Sequence, residues 1–255
     1  MAEVERFSPI QYIDTFTDIA ASLGMHLTSG TDFQEFRELS EKQPLKPHVN
    51  PAFDPECTDI SSKNGFWIIG HDDAGELIHS QAIKLLDMAG GDLEEHFQDH
   101  LADFRSYGYN FDFDKCQVYL TPAASKIIGR VSYHGELWIK GGPDGYRGGC
   151  LATILTRLMM TMSLHRWSPD FMIGLQSPMT SCRGLAVREG YMHVEQQSLV
   201  WQRSDSPEAL EDWLVWMSKD EAKFNLRIRP ETFYEMFEGR EGRPIRVAKQ
   251  KQKIA

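Results

Sequence analysis

The sequence predicts a mixed α/β fold in which helices flank a central sheet. Strand and helix patterns alternate through the middle of the chain, as they do where crossover helices join the strands of a sheet. A glycine-rich turn joins one strand to a long amphipathic helix, and an apolar run after that helix has the composition of a buried parallel strand. Helical patterns on either side of this core predict helical extensions at both termini.

Composition and charge argue against several classes of protein. The chain has 255 residues, of which 41% are hydrophobic and 25% charged, so it is long enough to bury a full core. Its formal net charge of -10 argues against a general affinity for nucleic acid, because phosphate backbones attract basic surfaces. The sequence contains no apolar run long enough to cross a bilayer, and its first residues lack the pattern of a signal peptide. We therefore expect a cytoplasmic protein with no membrane association.

Residues 1–64 are predicted to form helices and a loop that pack on the core. Ser8-Pro9-Ile10-Gln11 combines an N-cap serine, a proline at the first helical position and a capping-box glutamine, so a helix should begin here. Thr31 or Asp32 can cap a second helix, which must end before Pro44. Two helices are thus expected before the first strand. The prolines and polar residues that follow predict an extended loop near the active cleft or at the edge of the core.

The core is predicted to open with an antiparallel hairpin and a helix. Residues 66–69 and 77–83 have strand patterns and are separated by the turn sequence Asp72-Asp-Ala-Gly75. The following helix carries His96 and His100 one turn apart, a spacing that can hold a metal ion. Because no third ligand accompanies this pair, we expect a packed or solvated helix face and no metal site. The four cysteines form no CxxC pair, which favours reduced thiols.

The strand over residues 131–139 carries the candidate general base. Strict alternation predicts that His134, Glu136 and Trp138 point to one face while Tyr133 and Ile139 point to the other. His134 and Glu136 would then lie about 7 Å apart, at twice the strand rise. A carboxylate or imidazole at the edge of an apolar cleft can have its pKa moved toward neutrality, which suits a base. Exposure of both side chains to solvent is the alternative, and it stays open.

The glycine-rich turn that follows this strand has the properties of an anion site. The start of a helix offers unpaired N–H groups and the positive end of the helix dipole, and glycines let a phosphate approach closely. Arg147 adds a positive charge. The pattern predicts a pocket for a phosphorylated cofactor. A tight connection that needs glycine only for its backbone angles explains the same residues equally well.

The rest of the chain completes the sheet and adds a C-terminal segment. After the long helix we predict a buried parallel strand over 171–175, a short helix over 180–189 and a strand over 191–202. Ser206-Pro207 is predicted to cap a further helix, whose tryptophans would dock on the core or on a second subunit. A last helix over 230–237 and a basic tail follow. The predicted organisation is therefore an N-terminal segment 1–64, a core 65–203 and a C-terminal segment 204–255.

Two sequence motifs give the core a family resemblance. Arg147-Gly-Gly-Cys-Leu-Ala152 matches the pattern R/Q-x-x-G-x-G/A at its first and last positions, with Cys150 in place of the central glycine. Arg188-Glu-Gly-Tyr191 looks like a Gly-Phe element that precedes an antiparallel strand. With these motifs in this order, residues 65–203 resemble the GNAT superfamily, whose members move an acyl group from a coenzyme A thioester to an amine.

The resemblance implies a cofactor and a set of residues that hold it. The cofactor would be acetyl-CoA or another acyl-CoA, with its pyrophosphate on the backbone amides of the turn and its pantetheine arm paired with the main chain of the preceding strand. The thioester would lie where two parallel strands splay apart, and a base near Glu136 would deprotonate a small-molecule or peptide amine. The implied cofactor-binding residues are Leu137, Trp138, Ile139, Arg147, Gly148, Gly149, Cys150, Leu151 and Ala152.

The chain also departs from the family pattern. The tyrosine that often protonates the leaving thiolate is replaced by Ala186, and Met179 stands where an asparagine is often found. Ser181, Cys182 or Tyr191 can substitute, or the thiolate can leave unaided, since a thiol is a good leaving group near neutral pH. The candidate catalytic residues are Glu136, His134 and Tyr191.

Two further alternatives follow from these departures. Cys150 or Cys182 can be considered as a covalent nucleophile, because a thiol at a helix N-terminus can have a lowered pKa. The need for a small residue beside a phosphate is the simpler interpretation of Cys150. A GNAT-like module that binds an acyl-CoA or a protein partner without turnover is the alternative function, and homodimer formation stays open.

Overall fold

The computed structural model describes residues 8–42, 48–142, 145–147 and 150–238, and these contain eight strands and eight α-helices. The strands are β1 (His26–Gly30), β2 (Gly65–His71), β3 (Leu77–Leu86), β4 (Gln117–Val118), β5 (Val131–Ile139), β6 (Phe171–Gln176), β7 (His193–Gln202) and β8 (Ala209–Ser218). The helices are α1 (Pro9–Ser22), α2 (Phe33–Glu41), α3 (Leu93–Asp99), α4 (Leu151–Trp167), α5 (Pro178–Cys182), α6 (Leu185–Glu189), α7 (Lys219–Asn225) and α8 (Pro230–Glu238).

All the strands form one sheet, in the order β1-β2-β3-β5-β6-β8-β7-β4. The only parallel neighbours in this sheet are β5 and β6, and every other pairing is antiparallel. The predicted mixed α/β class is confirmed, as are the β2–β3 hairpin and the parallel placement of β6. Within the described ranges, we find no helix with both the length and the apolar character that crossing a membrane requires.

Two apolar layers cover the two faces of the sheet. One layer lies beneath α1 and α4 and includes Phe16, Ile154 and Met172. The other layer includes Phe36 of α2 and Phe97 of α3. Most residues of α4 are buried, because α1, α6, α7 and α8 also pack against this helix.

The N-terminal helix begins as predicted, but the first strand comes earlier than predicted. The Ser8 hydroxyl accepts a hydrogen bond from the Gln11 N–H, and the Gln11 side chain accepts one from the Ser8 N–H. Strand β1 lies between α1 and α2 and pairs with β2. The expectation of two helices before any strand is therefore wrong. Five residues at the edge of a sheet are too few to show a clear alternation of polar and apolar positions.

The predicted helix after residue 206 is also wrong. This segment forms β8, which lies between β6 and β7 in the sheet. Leu214, Val215, Trp216 and Met217 are all buried, because both faces of this strand are covered. A continuous apolar run is typical of such a strand and also fits helical spacing. The sheet therefore extends past residue 203, and the helices of the C-terminal segment begin at Lys219.

The predicted helix over residues 180–189 is two short helices, α5 and α6. Gly184 lies between them with φ of +73°, a left-handed conformation that interrupts helical hydrogen bonding. Gly190 then ends α6 with φ of +98°, at the predicted turn before β7. The two helices connect the end of β6 to β7, which is separated from β6 in the sheet by β8 alone.

Candidate functional site

The sheet opens between its two parallel strands. Pairing of β5 with β6 runs from Val131 opposite Phe171 to His134 opposite Gly174, where it stops. Beyond this point β5 continues along β3, and β6 continues along β8 as far as Gln176. We call the space between residues 135–139 of β5 and residues 175–176 of β6 the strand gap.

A β-bulge shapes the side of the strand gap that β5 forms. Between Gly135 and Trp138, two residues of β5, Glu136 and Leu137, lie opposite the single residue Gln81 of β3. Glu136 has φ of +61°, in the left-handed region that a bulge can accommodate. One extra residue reverses the alternation of side chains along the rest of the strand.

The bulge overturns the prediction that His134 and Glu136 lie side by side on one face. His134 contacts residues of the layer beneath α4. The Glu136 carboxylate instead reaches the loop before Phe53, in the opposite layer, where it accepts a hydrogen bond of 3.0 Å from the Asn50 N–H. Trp138 likewise packs in the layer of Tyr133 and not on the face of His134. The prediction failed because it assumed unbroken alternation through residue 136.

Gln81, His134 and Tyr191 form a buried chain of hydrogen bonds. The Gln81 amide donates to the Leu155 carbonyl at 2.8 Å, so its oxygen faces His134 Nε2 at 3.2 Å. Nε2 therefore carries the ring hydrogen, and Nδ1 can accept a hydrogen bond from the Tyr191 hydroxyl at 3.3 Å. Burial lowers the pKa of His134 to about 4. The imidazole is consequently neutral at pH 7 and is a weak base.

The Tyr191 hydroxyl lies at the point where the strand gap begins. A Cβ atom added at Gly174 would be 2.9 Å from this hydroxyl oxygen. Gly174 is also the last residue of β6 that pairs with β5. Tyr191 is 4% exposed, and burial raises the pKa of its phenol well above the usual value, so the phenol keeps its proton. Glycine at 174 thus leaves room for a hydroxyl donor at the gap.

A second polar group at the gap was not found from the sequence. The Gln176 amide donates to Glu189 Oε2 at 2.6 Å, and the Gln176 oxygen accepts a hydrogen bond from the Ser181 hydroxyl at 3.0 Å. Glu189 is 3% exposed, and burial raises its pKa to about 8, so it is protonated at pH 7. A glutamate at the end of a short helix is ordinarily solvated, and nothing in the local pattern marked it as buried.

The predicted phosphate turn is described only in part. Gly148 and Gly149 lie outside the described residues. Cys150 immediately precedes α4 and is buried in the layer beneath it, which leaves its thiol inaccessible to a substrate. Leu151 is buried in the same layer, with Ala152 packed against it.

Arg147 contacts the strand that the resemblance assigns to the pantetheine arm. Its Nε donates to the Ile139 carbonyl at 2.6 Å. Its Cδ would lie 3.1 Å from a Cβ atom at Gly141, so the side chain lies flat over this glycine. Arg147 therefore already uses one of the two lone pairs of the Ile139 carbonyl.

The proposed substitutes for the missing tyrosine lie in different surroundings. Ser181 is bound to Gln176, Cys182 is exposed, and Tyr191 is the one of the three whose hydroxyl lies against the last parallel pair. Ala186, in the position where the tyrosine is expected, is buried. Among these candidates, Tyr191 is the best placed donor at the gap.

The histidine pair of α3 lies away from these groups. The ring centroids of His96 and His100 are 4.7 Å apart, and burial together with the neighbouring His100 lowers the pKa of His96 to about 4. In the part of the chain that the structure describes, no group of three or more metal-ligating side chains is found.

Comparison with known proteins gives structural matches of low overall similarity. No protein-family model matches the chain, and no curated protein matches it. FeeM, an N-acyl amino acid synthase from uncultured soil microbes, is 9% identical with a TM-score of 0.37 and coverage of 84% of this chain and 90% of its own. AAC(6')-Ib in complex with Parmomycin and AcetylCoA is 10% identical with a TM-score of 0.40, covering 78% and 95%. The AHL synthase LasI is 10% identical with a TM-score of 0.40, covering 79% and 95%. At these values the likeness is one of fold, and it carries no argument about activity or substrate.

Proposed function

We propose that this protein is a GNAT-like N-acyltransferase, which moves an acyl group from acetyl-CoA or another acyl-CoA to a primary amine of a small molecule or peptide. The observation that carries the proposal is the strand gap, with a hydroxyl donor at one side and a carboxylate reached from the other face. Acyl transfer to an amine is accelerated by both kinds of group, a base for the amine and a donor that stabilises the leaving sulfur. The bulge at Glu136 places the carboxylate on the face of the sheet opposite to the Tyr191 hydroxyl.

The acyl-CoA would bind along the gap side of β5. Beyond His134 this side of the strand has no partner in β6, so its main-chain groups can pair with the amides of the pantetheine arm like an added strand. The start of α4 offers the positive end of a long helix to the pyrophosphate. Arg147 would exchange the Ile139 carbonyl for a phosphate oxygen when the cofactor binds.

Glu136 is the proposed general base. Its carboxylate lies on the face opposite α4, and the Asn50 N–H fixes one of its oxygens. The carboxylate would remove a proton from the attacking amine, whose nitrogen forms a bond to the thioester carbon. The resulting tetrahedral intermediate would collapse by breaking the bond between carbon and sulfur, with the thiolate leaving.

Tyr191 is the proposed donor to the leaving sulfur, and His134 is a positioning residue. Burial raises the pKa of the Tyr191 phenol, whereas the pKa of a thiol is about 8.5, so the phenol is the weaker acid. Tyr191 would therefore stabilise the thiolate by a hydrogen bond and not by full proton transfer. In the free protein the Tyr191 hydroxyl donates its one proton to Nδ1 of His134, which burial keeps neutral, and this bond holds the phenol in place. As the thiolate forms, the hydroxyl would turn from Nδ1 and donate to the sulfur instead. The thiolate would take its final proton from solvent.

A module without turnover is the second candidate function. The alanine at position 186, where the family often has a tyrosine that protonates the leaving thiolate, favours it. The two functions separate in one experiment. Isothermal titration with acetyl-CoA and longer acyl-CoAs measures binding, and thiol release in the presence of pooled primary amines measures transfer. Binding with amine-dependent thiol release supports the enzyme, and binding without release supports a module that binds an acyl-CoA. Absence of both contradicts these two functions and leaves only a module that binds a protein partner.

A further inference from the structure

A buried arginine lies outside the proposed acyl-transfer site. Arg157 belongs to the second turn of α4 and is 8% exposed, within the layer that α1, α7 and α8 cover. An arginine side chain does not lose its proton in proteins, so its positive charge remains when it is buried. A buried charge is compensated in folded proteins by an opposite charge or by hydrogen-bond acceptors.

The contacts of Arg157 do not supply that compensation. The guanidinium lies 4.5 Å from the centroid of the Phe233 ring, and the backbone of Gly190 packs against Nη1. Nε and Nη1 are buried, and neither has a hydrogen-bond partner among the residues that the structure describes. Over the same residues, no carboxylate forms an ion pair with Arg157. The charge of Glu231 helps to raise the pKa of the neighbouring Tyr12, but this carboxylate pairs with Arg229, with 3.7 Å between Oε2 and Nε.

A small cavity adjoins the guanidinium. Its volume is about 20 Å³, which is enough for one particle of the size of a water molecule or a halide ion. Its polar lining residues are Arg157, Tyr12, Thr161 and Asn225, and the remaining lining side chains are apolar. Among the residues that the structure describes, the lining contains no acidic side chain, so Arg157 gives this part of the cavity a positive charge.

The other polar groups in the lining are already engaged. The Tyr12 hydroxyl shares its one proton between the carbonyls of Asn225 and Ile228. The Thr161 hydroxyl donates to the Arg157 carbonyl, and the Asn225 amide donates to the Gly190 carbonyl. Arg157 is therefore the group in the lining with donors still available. A water molecule in this space would accept a hydrogen bond from the guanidinium but would bring no opposite charge.

We propose that this cavity binds a small monovalent anion of the size of chloride, held by the Arg157 guanidinium. The anion would lie where α1 and α7 meet α4, so its binding would couple both terminal helical segments to the core. This site is independent of the proposed acyl transfer, because its residues are not those of the strand gap.

Halide-dependent stability of the full chain tests the proposal. Thermal and urea unfolding are measured in sodium chloride, sodium bromide and sodium gluconate at equal ionic strength. Chloride and bromide should stabilise the protein saturably, and gluconate, which is too large for the cavity, should not. At a chloride concentration 100 times the dissociation constant, the unfolding equilibrium constant should fall about 100-fold.

Two variants assign the effect to its site. Arg157→Met should abolish the difference between chloride and gluconate, while Lys223→Met, which removes an equal charge from the exposed surface of α7, should keep it. If Arg157→Met does not fold, chlorine-35 NMR line broadening of the wild-type protein, reversed by bromide, gives the same information. Equal stability in chloride and gluconate without line broadening would overturn the proposal, as would a halide effect that survives in Arg157→Met.

Discussion

Replacing Gly174 by alanine would test the geometry at the start of the strand gap. The new methyl group would lie 2.9 Å from the Tyr191 hydroxyl oxygen and 3.3 Å from both the His134 carbonyl and a methyl carbon of Val215. Because the tyrosine ring is buried, it cannot swing away freely, and overpacking of this kind costs about 1–3 kcal/mol. The loss of a strand glycine offsets about 0.5–1 kcal/mol of that cost. We expect a net loss of stability of about 1–2 kcal/mol.

The double variant makes this prediction specific to the hydroxyl. Tyr191→Phe removes the oxygen that the methyl group meets, at a cost of about 1–3 kcal/mol for the unpaired Nδ1 of His134. Gly174→Ala should therefore cost less in the Tyr191→Phe background than in the wild type, by about 1 kcal/mol or more. Urea unfolding of the four proteins of this cycle measures the coupling. Additive costs would refute the placement of the Tyr191 hydroxyl against Gly174.

Three further predictions concern the proposed reaction and the buried acid. Glu136→Gln should lower the turnover number by about 10²- to 10⁴-fold with little change in acyl-CoA affinity. Stopped-flow thiol release measures the turnover number, and titration measures the affinity. Full activity of this variant would show that another group is the base. Gly148→Val should abolish coenzyme A binding if the turn holds the pyrophosphate, whereas Arg147→Ala should cause a smaller loss that salt diminishes, both measured by calorimetry. The pKa of Glu189 rises from 4.5 to about 8 on folding, so the folded state binds more protons and stability should fall as pH rises between these values. Glu189→Gln should flatten this dependence in chemical unfolding measured from pH 4.5 to 8.5, and an unchanged slope would show that another group is responsible.

The helices and strands could be predicted from the sequence only where the local pattern was regular. The helix start at Ser8, the β2–β3 hairpin and the parallel strand β6 each had a local signal, namely a capping box, a turn between apolar runs and a short buried run. The bulge at Glu136 had none apart from the preceding Gly135, because a shift of register depends on pairing with β3.

Burial of polar residues was harder to predict than secondary structure. His134 was chosen from its strand, but its neutral state depends on Gln81 and Tyr191, which are distant in sequence. Glu189 is buried because α6 packs on α4, and Arg157 because the terminal helices cover α4. The burial of these side chains depends on tertiary packing, which cannot be read from a short stretch of sequence. The segment that forms β8 shows the same limit, since its apolar run fits a helix until its neighbours in the sheet are known.

The position of β8 between β6 and β7 has a consequence for the order in which the chain can fold. Until residue 218 has left the ribosome, one edge of β6 has unpaired backbone N–H and C=O groups, and β7 has no strand to join it to the sheet. Open edges of this kind recruit other chains, and pairings between distant residues form slowly. A chain that ends near residue 203 should therefore aggregate. The full chain should depend less on chaperones for folding once β8 has been synthesised.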